Sequence, residues 1–189
     1  MRRLTIGLLG LFLAVGCTHY TLTKEQCEAG DWKGIGQSDG NQGLASAPRL
    51  VKHEEACGKH NIRVDNAAYL TGWNAGVKTY CTPSNGYNEG TNGYTYQRVC
   101  PANLEPGFLA EYEKGRKIFT VRARHQKLVS RLHDVEDDLA RARLTLAKAK
   151  NSVERENATY EINKLEREKG DIDREMRLFE TKHVDTLID

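Results

Sequence analysis

The chain has 189 residues, with 28 lysine and arginine residues against 26 aspartate and glutamate residues and a formal net charge of +2. Proteins that bind nucleic acid through many phosphate contacts carry a larger positive charge, so we expect no nucleic-acid partner. All four prolines and thirteen of the seventeen glycines lie between residues 30 and 115, and a single glycine follows them. We therefore expect a compact glycine-rich domain followed by a long helical region.

The first sixteen residues have the features of an export signal. Met1–Arg3 carry positive charge, and residues 4–15 form a short apolar run. A run of about a dozen residues is too short to span a membrane as a stable helix and is typical of a signal peptide. The sequence therefore predicts a signal peptide over residues 1–16.

The end of this segment resembles the bacterial lipobox, in which a cysteine thiol is acylated and the cysteine becomes the new N-terminus. The run from Leu13 to Cys17 fits, with Ala14 where leucine is usual. We predict that Cys17 is lipidated and that residues 17–26 form a short tether; an ordinary secretory signal with an incidental cysteine is the alternative. Thr18 resembles the residue that follows the cysteine in lipoproteins sent on to the outer membrane. We therefore expect a lipid-anchored protein that faces the periplasm.

The remaining cysteines form an even set in an exported chain, which predicts two disulfides. They are Cys27, Cys57, Cys81 and Cys100. Three connectivities are possible. The duplication described next weakly favours the pairs Cys27 with Cys57 and Cys81 with Cys100, but a crossed arrangement that joins equivalent cysteines respects the same symmetry.

Residues 27–115 carry one pattern twice: a cysteine, three glycines at i, i+4 and i+7, a second cysteine, then a tyrosine and a glycine twelve and fifteen residues past it. Glycine costs about 1 kcal/mol against alanine in a helix, so a repeated glycine face indicates the close approach of another backbone. In the second copy the dipeptides Asn85-Gly86 and Asn92-Gly93 could be turns instead. The copies are Cys27, Gly36, Gly40, Gly43, Cys57, Tyr69, Gly72 and Cys81, Gly86, Gly90, Gly93, Cys100, Tyr112, Gly115.

Local signals place three further helices in this domain. A helix is predicted over Arg49 to Lys59, after Pro48, and Asp65 is an N-cap for a helix over Ala67 to Tyr80. Pro106 can open the next helix. No segment shows the alternation of a β-strand, so the sequence predicts an all-α, disulfide-stapled domain. The stripe of that last helix that faces the domain consists of Phe108, Tyr112, Gly115 and Phe119.

The order of these residues is similar to that of a known family. Asp31-Trp32 with Ile35-Gly36 and Asp39-Gly40, His53-x3-Cys57, Tyr69-x2-Gly72-x3-Gly76, Val99-Cys100-Pro101 and Phe108-x3-Tyr112-x2-Gly115 are the motifs concerned. They resemble a Gram-negative bacterial lipoprotein family known as domain of unknown function number 2799. The resemblance covers about residues 27–115, implies a bacterial envelope setting and brings no activity with it.

The tail over residues 116–189 has two hydrophobic seams with heptad spacing, a coiled-coil signal. On one unbroken helix the second seam would be rotated by about 110° from the first. This mismatch predicts a break near residues 151–158 and favours an antiparallel hairpin over one straight rod. The seams are Leu128, Leu132, Val135, Leu139, Ala142, Leu146, Ala149, Val153 and then Ile162, Leu165, Lys169, Ile172, Met176, Phe179.

Few residues suggest chemistry. His53, Cys57 and His60 stand at i, i+4 and i+7, a spacing that could bind a metal, but an oxidised Cys57 cannot be a ligand. Asp31 and Asp39 could form an acid and base pair, yet on a helix they lie about 12 Å apart, too far to couple. The sequence contains no nucleophile elbow, phosphate loop or zinc-protease helix, so we predict no catalytic residues and no cofactor.

Residues 114–133 contain seven lysines and arginines and no acidic residue. Such a run is usually a solvated face of a helix. The functional alternative is contact with anionic headgroups or wall polymers near the membrane, which attract clustered cations.

Two functions from different classes remain open. The first is a non-enzymatic outer-membrane lipoprotein that presents a periplasmic coiled coil to a protein partner or to itself. The second is a periplasmic hydrolase or metal-binding lipoprotein that uses Asp31, Asp39, His53 and His60.

Overall fold

The computed structural model describes residues 22–188, which form eight α-helices and no β-strand. The all-α class predicted from the sequence is therefore confirmed. The predicted signal peptide, Cys17 and residues 18–21 of the predicted tether lie outside the described residues, whereas residues 24–26 of that tether belong to the first helix. The helices are α1 (Lys24–Ala29), α2 (Trp32–Asn41), α3 (Ser46–Gly58), α4 (Asn66–Tyr80), α5 (Pro83–Thr91), α6 (Glu105–Lys148), α7 (Ser152–Lys182) and α8 (Val184–Ile188).

Each copy of the duplication closes its own disulfide. Cys27 on α1 is bonded to Cys57 on α3, and Cys81 after α4 is bonded to Cys100 before α6, with Cα–Cα distances of 5.5 and 5.6 Å. The pairing within each copy, which the sequence favoured only weakly, is the one observed. The first bond therefore joins α1 to α3, and the second joins the end of α4 to the segment before α6.

In the first copy, α2 crosses α4 with backbone against backbone. A Cβ atom on any of four glycines would lie 1.8 to 2.4 Å from a carbonyl oxygen of the facing helix, a distance that no side chain tolerates. The repeated glycines therefore permit the close approach that their spacing predicted. Gly36 and Gly40 lie on α2, and Gly72 and Gly76 lie on α4.

The second copy repeats this crossing with α5 and the first turns of α6. Cβ atoms on Gly86 and Gly90 would lie 2.3 and 2.2 Å from the carbonyl oxygens of Phe108 and Tyr112. Gly86 and Gly90 are thus helical, so the alternative of a turn is wrong for Asn85-Gly86, whereas Asn92-Gly93 does form a turn after α5. A Cβ atom on Gly115 of α6 would likewise lie 2.4 Å from the carbonyl oxygen of Tyr87 on α5.

The structure corrects the register of the duplication. Tyr112 occupies the place of Trp73 and not that of Tyr69: the Trp73 Nε1–H donates to the carbonyl of Leu44, and the Tyr112 hydroxyl donates to the carbonyl of Tyr94. Because the pattern is shifted by one helical turn, the true partner of Tyr69 is Phe108, and Glu111 stands where the first copy has Gly72. The shared spacing of tyrosine and glycine after the second cysteine was misleading.

The third glycine of each set ends a helix instead of continuing it. Gly43 and Gly93 have φ angles of 66° and 79°, the left-handed region that glycine tolerates best. The next amide bonds back to a carbonyl five residues earlier, Leu44 N to Asp39 O at 3.1 Å and Tyr94 N to Glu89 O at 3.0 Å. Both helices therefore end in a Schellman motif.

The tail is an antiparallel helical hairpin formed by α6 and α7. Helix α6 continues without a break through the predicted domain boundary at residues 115 and 116. Arg143 pairs with Glu166 near the turn, and His125 pairs with Glu180 near the open end. Residues of the two predicted seams fill the space between α6 and α7. The hydrophobic core of the hairpin consists of Leu132, Val135, Leu139, Ala142, Leu146, Ile162, Leu165 and Ile172.

The turn of the hairpin lies at residues 149–151, slightly before the predicted break. The Asn151 side chain accepts from Glu154 N at 2.9 Å, and the Glu154 carboxylate accepts from Lys150 N at 2.7 Å, which caps α7. The assignment of Val153 to the first seam is wrong, because Val153 lies in the first turn of α7 and is 64% exposed. Lys169 forms an ion pair with Glu136 of α6, which compensates the charge that Lys169 introduces into the seam.

No helix of residues 22–188 has both the length and the hydropathy needed to cross a membrane.

Candidate functional site around a buried carboxylate

The first copy contains a buried carboxylate that receives hydrogen bonds from three side chains. Asp39 lies on α2 and its side chain is 3% exposed. Arg49 donates through Nε and Nη2, each at 3.1 Å, His53 Nε2 lies at 2.8 Å, and the Tyr69 hydroxyl donates at 2.9 Å. A carboxylate in this environment is fully satisfied, and both its charge and its orientation are fixed.

Three helices bring this network together. Asp39 directly precedes Gly40 of the first crossing, so it lies beside the contact between α2 and α4. Arg49 and His53 are four residues apart and therefore share one face of α3. Tyr69 reaches Asp39 from α4. The disulfide from Cys57, one turn after His53, holds α3 in place.

The network perturbs the pKa values of Asp39 and Tyr69. Burial raises the pKa of Asp39, but the hydrogen bonds from His53, Arg49 and Tyr69 outweigh it, so the pKa is lower than its ordinary value. Since Asp39 is then charged and can only accept, His53 donates through Nε2. Burial, followed by the charge of Asp39 and its hydrogen bond, raises the pKa of Tyr69, so this hydroxyl remains a donor.

The other ring nitrogen of His53 has no such partner. His53 is fully buried, and its Nδ1 is the single buried side-chain nitrogen or oxygen in the described part of the chain that lacks a hydrogen bond. Native proteins rarely leave such an atom unpaired. His53 and Asp39 border a cavity of about 330 Å³ that opens beside the start of α2.

The corresponding position of the second copy is different. Glu89 takes the place of Asp39 and accepts a hydrogen bond from the Tyr80 hydroxyl at 3.0 Å. Phe108 stands where the first copy has Tyr69, and its ring packs on Tyr80 and Tyr96 with centroid distances of 5.2 and 4.9 Å. An aromatic cluster therefore replaces the charged network.

The structure brings together three of the four acidic and histidine residues selected from the sequence. Asp31, Asp39 and His53 border the same cavity. Asp31 is the N-cap of α2, and one of its oxygens accepts from Gly34 N at 2.9 Å. His60 does not join them, because α3 ends at Gly58 and His60 lies exposed beyond it.

The metal arrangement considered for α3 does not form. Cys57 is oxidised and His60 has left the helix face, so the spacing i, i+4 and i+7 is not realised. Among residues 22–188 there is no group of three or more histidine, cysteine, aspartate or glutamate side chains that could hold a metal ion.

Sequence reasoning missed two members of the network. Arg49 was treated only as the start of a helix, although its spacing of four from His53 places both on one face. Tyr69 was recognised as a repeated position but not as a donor to a carboxylate. The usable signal was the pair Arg49 and His53, because a basic pair on one face of a helix in a small domain needs an acidic partner.

The hairpin has several exposed apolar residues and an internal cleft. Leu144, Tyr160 and Leu178 are 60%, 66% and 69% exposed. Tyr160 and Leu178 are 18 residues apart, which is five full turns, so they lie on one face of α7. A cleft of about 500 Å³ lies between the helices near the turn. The small residues on its wall are Ala142, Ala149 and Ala158.

The basic segment over residues 114–133 is partly neutralised within the hairpin. Arg124 and Arg131 both pair with Glu175 of α7. These pairs favour the interpretation of the segment as a solvated helix face.

Residues 31–117 match the family model described as "Protein of unknown function (DUF2799)". The match extends from the N-cap of α2 to just beyond Gly115, so it contains both glycine crossings and leaves out the hairpin. No curated protein and no solved structure matches the chain.

Proposed function

Residues 31–117 form a domain of the DUF2799 family, and from this premise we propose that the chain is a non-enzymatic lipoprotein of the bacterial envelope. In this proposal a lipid on Cys17 holds the protein at the outer membrane. The hairpin of α6 and α7 then acts as a coiled-coil arm that binds a protein partner in the periplasm. The family description assigns no activity.

Two features support export and anchoring. The sequence before Cys17 resembles a lipobox, and it follows a charged and then an apolar segment. Two disulfides also suit an oxidising compartment outside the cytoplasm. The predicted tether over residues 17–26 is short, so the stapled domain would stay close to the membrane.

The observation that carries the binding role is the position of α7. This helix packs on α6 and α8, and its 31 residues extend for about 46 Å. One side of α7 therefore faces solvent along its length. The exposed Tyr160 and Leu178 lie on that side, and tyrosine is one of the residues that contribute most to binding energy at protein interfaces.

A hydrolase is less well supported. The charge of Asp39 is taken up by four hydrogen bonds, and His53 Nδ1 has no hydroxyl or thiol among its described partners. A general base must lie within hydrogen-bonding distance of the group whose proton it takes.

The arm can be tested by site-specific photo-crosslinking in intact cells. A photoreactive residue at Tyr160 or Leu178 should capture a specific protein, whereas the same residue at exposed Lys52 on α3 should not. With the photoreactive residue at Tyr160, the change Leu178→Asp should abolish capture, and with the photoreactive residue at Leu178, the change Tyr160→Asp should do the same, while the far-ultraviolet circular dichroism stays unchanged. Equal capture from Lys52, or no capture from the hairpin, would contradict the proposed role.

The anchor is tested separately. Cys17→Ser should stop the incorporation of labelled fatty acid and release the protein from the membrane fraction. Continued labelling of this variant would show that Cys17 is not the lipidated residue.

A further inference from the structure

We propose that a polar cavity between the two copies binds a neutral oligosaccharide, whose hydroxyl groups exchange hydrogen bonds with Asn85, Glu89 and Gln97. The cavity has a volume of about 600 Å³, and small-molecule sites usually have volumes of about 300 to 1,000 Å³. Its walls come from the ends of α2 and α4, from α5 and from the segment after α5. The site belongs to the stapled domain and is independent of the role proposed for the hairpin.

The first argument concerns the charge of the wall. Glu89 is the single charged residue among the described residues that line the cavity. The wall therefore offers no cation to a phosphate or a carboxylate, and an anionic ligand is disfavoured. The side chains with amide, carboxylate or aliphatic hydroxyl groups are Asn41, Gln42, Asn85, Glu89, Thr95 and Gln97.

The second argument concerns hydrogen-bonding capacity. Gln97 Oε1 accepts from Ala45 N at 3.0 Å, whereas Gln97 Nε2 has no partner among the described residues. Asn85 Nδ2 donates to the carbonyl of Tyr80 at 2.9 Å, which leaves Asn85 Oδ1 as an acceptor. Glu89 accepts from the Tyr80 hydroxyl through Oε2, and its Oε1 is also left as an acceptor. The lining residues thus have both a donor and acceptors to offer.

A hydroxyl group is the ligand group that matches such a lining. It donates one hydrogen bond and can accept two, so the neighbouring hydroxyls of a sugar serve donors and acceptors together. An ether only accepts and an ammonium ion only donates, so each matches only part of the lining. A ligand that displaces ordered water from a polar site must reproduce the hydrogen bonds of that water or lose affinity.

The third argument concerns preorganisation. The bond from Ala45 N to Gln97 joins residues 52 positions apart and connects the two copies. Tyr80 is buried, and its carbonyl and hydroxyl hold Asn85 and Glu89 on α5. Side chains that are already held in position lose less conformational freedom when a ligand binds.

An exposed aromatic ring supplies apolar contact at the same cavity. Tyr94 lines the cavity and is 59% exposed, while its carbonyl accepts from the Tyr112 hydroxyl at 2.8 Å. A tyrosine ring offers a large, rigid contact area at low entropic cost. The C–H groups on one face of a sugar ring can cover such a surface and remove it from water.

The experiment uses the purified full chain in micelles of a detergent without a sugar headgroup, since a maltoside would compete. Maltotriose and cellotriose are the saccharide probes, triethylene glycol dimethyl ether is the probe that only accepts, and spermidine is the cationic probe. We expect saturable binding of at least one trisaccharide with a Kd on the order of 1 mM, because each exchanged hydrogen bond contributes little net free energy. The saccharide should also shift the side-chain amide nitrogen-15 resonances of Asn85 and Gln97.

Matched variants identify the site. Gln97→Glu keeps an acceptor for Ala45 N but replaces the free donor with an acceptor, so saccharide affinity should fall about 10-fold. Gln126→Glu adds the same charge at an exposed position of α6 outside the cavity and should change affinity less than about 2-fold. Tyr94→Ala keeps the carbonyl that bonds to Tyr112 and should weaken binding about 5-fold.

A cation site would respond in the opposite direction, because Gln97→Glu would then tighten the binding of spermidine. That result would overturn the proposal, as would equal binding of the ether, or no saccharide binding at about 20 mM. Equal affinities of Gln97→Glu and Gln126→Glu would overturn it too. If Gln97→Glu does not fold, the comparison of Tyr94→Ala with Gln126→Glu decides. Gln97 and Tyr94 lie outside the hairpin, so failure here leaves the proposed arm standing.

Discussion

The two copies cross their helices in the same way but fill the adjacent space with different chemistry. Both have glycines that meet carbonyl oxygens, a helix that ends at a glycine with positive φ, and an aromatic side chain that donates to the residue after that glycine. Beside this shared frame, the first copy places Asp39 with Arg49 and His53. The second copy places the rings of Tyr80 and Phe108 there.

This difference distinguishes the features shared by both helix crossings from the charged network, which only the first copy has. Features present in both copies are required for two helices to meet at backbone distance. The charged network occurs once, so it is an addition to the frame and not part of it. The additional helix α3 supplies two of its members, whereas residues 92–104 provide a shorter connection in the second copy.

The largest expected effect follows from loss of the buried charge. Asp39→Asn leaves Arg49 without its counter-charge in a buried place, which typically costs about 3 to 5 kcal/mol of the free energy of unfolding. The equivalent change in the second copy, Glu89→Gln, still accepts from Tyr80 and should cost no more than about 1 kcal/mol. Urea unfolding of the full chain, followed by near-ultraviolet circular dichroism, measures both.

The same variant should change the response to acid. The pKa of Asp39 in the folded state is lower than its ordinary value of 3.8. Its contribution is therefore present above that value and is lost as the pH falls through the folded-state pKa. Asp39→Asn should flatten the loss of stability below about pH 4. A loss as steep as that of the unchanged protein would show that Asp39 contributes nothing to the acid response.

The disulfides should have intermediate and nearly equal effects. Replacing Cys27 and Cys57 with serine, or Cys81 and Cys100, should each cost about 2 to 4 kcal/mol. The bonded residues are 30 and 19 positions apart, so chain entropy predicts a difference of only about 0.4 kcal/mol in favour of the first bond. Unfolding of the oxidised double variants tests this. A difference of several kcal/mol would show that one copy depends on its bond far more than the other.

The smallest effects concern single methyl groups. Gly72→Ala places a Cβ 1.8 Å from the carbonyl oxygen of Lys33 and should cost about 1 to 3 kcal/mol as α2 and α4 separate. Glu111→Ala, at the equivalent position of the second copy, should change stability by no more than about 0.5 kcal/mol. Thermal unfolding of the full chain gives the comparison.

A helix-propensity control for this series lies in the hairpin. A Cβ on Gly170 meets no atom within 4 Å, so Gly170→Ala should stabilise α7 by about 1 kcal/mol. If Gly72→Ala were also stabilising, the close crossing of the first copy would not exist in solution.

The sequence predicted best where a signal is local. Asp65 was expected to cap α4, and its side chain accepts from Ala68 N; Pro106 was expected to open a helix, and it lies in the first turn of α6. The seams of the hairpin also followed from periodicity. Its turn was missed by a few residues because the cap formed by Asn151 and Glu154 was not used as a start signal.

The errors arose where distant residues decide. Counting from the second cysteine aligned Tyr112 with Tyr69, although the residue that corresponds to Tyr69 is Phe108, one helical turn earlier. The true register was hidden because Glu111 stands where the first copy has a glycine. The network joins Asp39 to residues 10, 14 and 30 positions away, on two other helices. Neither periodicity nor motif spacing reports contacts of that kind, so the sequence named Asp39 and His53 without relating them.

The continuity of α6 gives the molecule a lever. Its first turns pack against α5 through close backbone contacts at glycines. The 29 residues of α6 after Phe119 extend for about 44 Å to the turn of the hairpin. A tilt of 5° at the crossing therefore moves the tip by about 4 Å. Conversely, a force applied at the tip acts as a torque on the second copy, whose disulfide and aromatic cluster lie at the fulcrum.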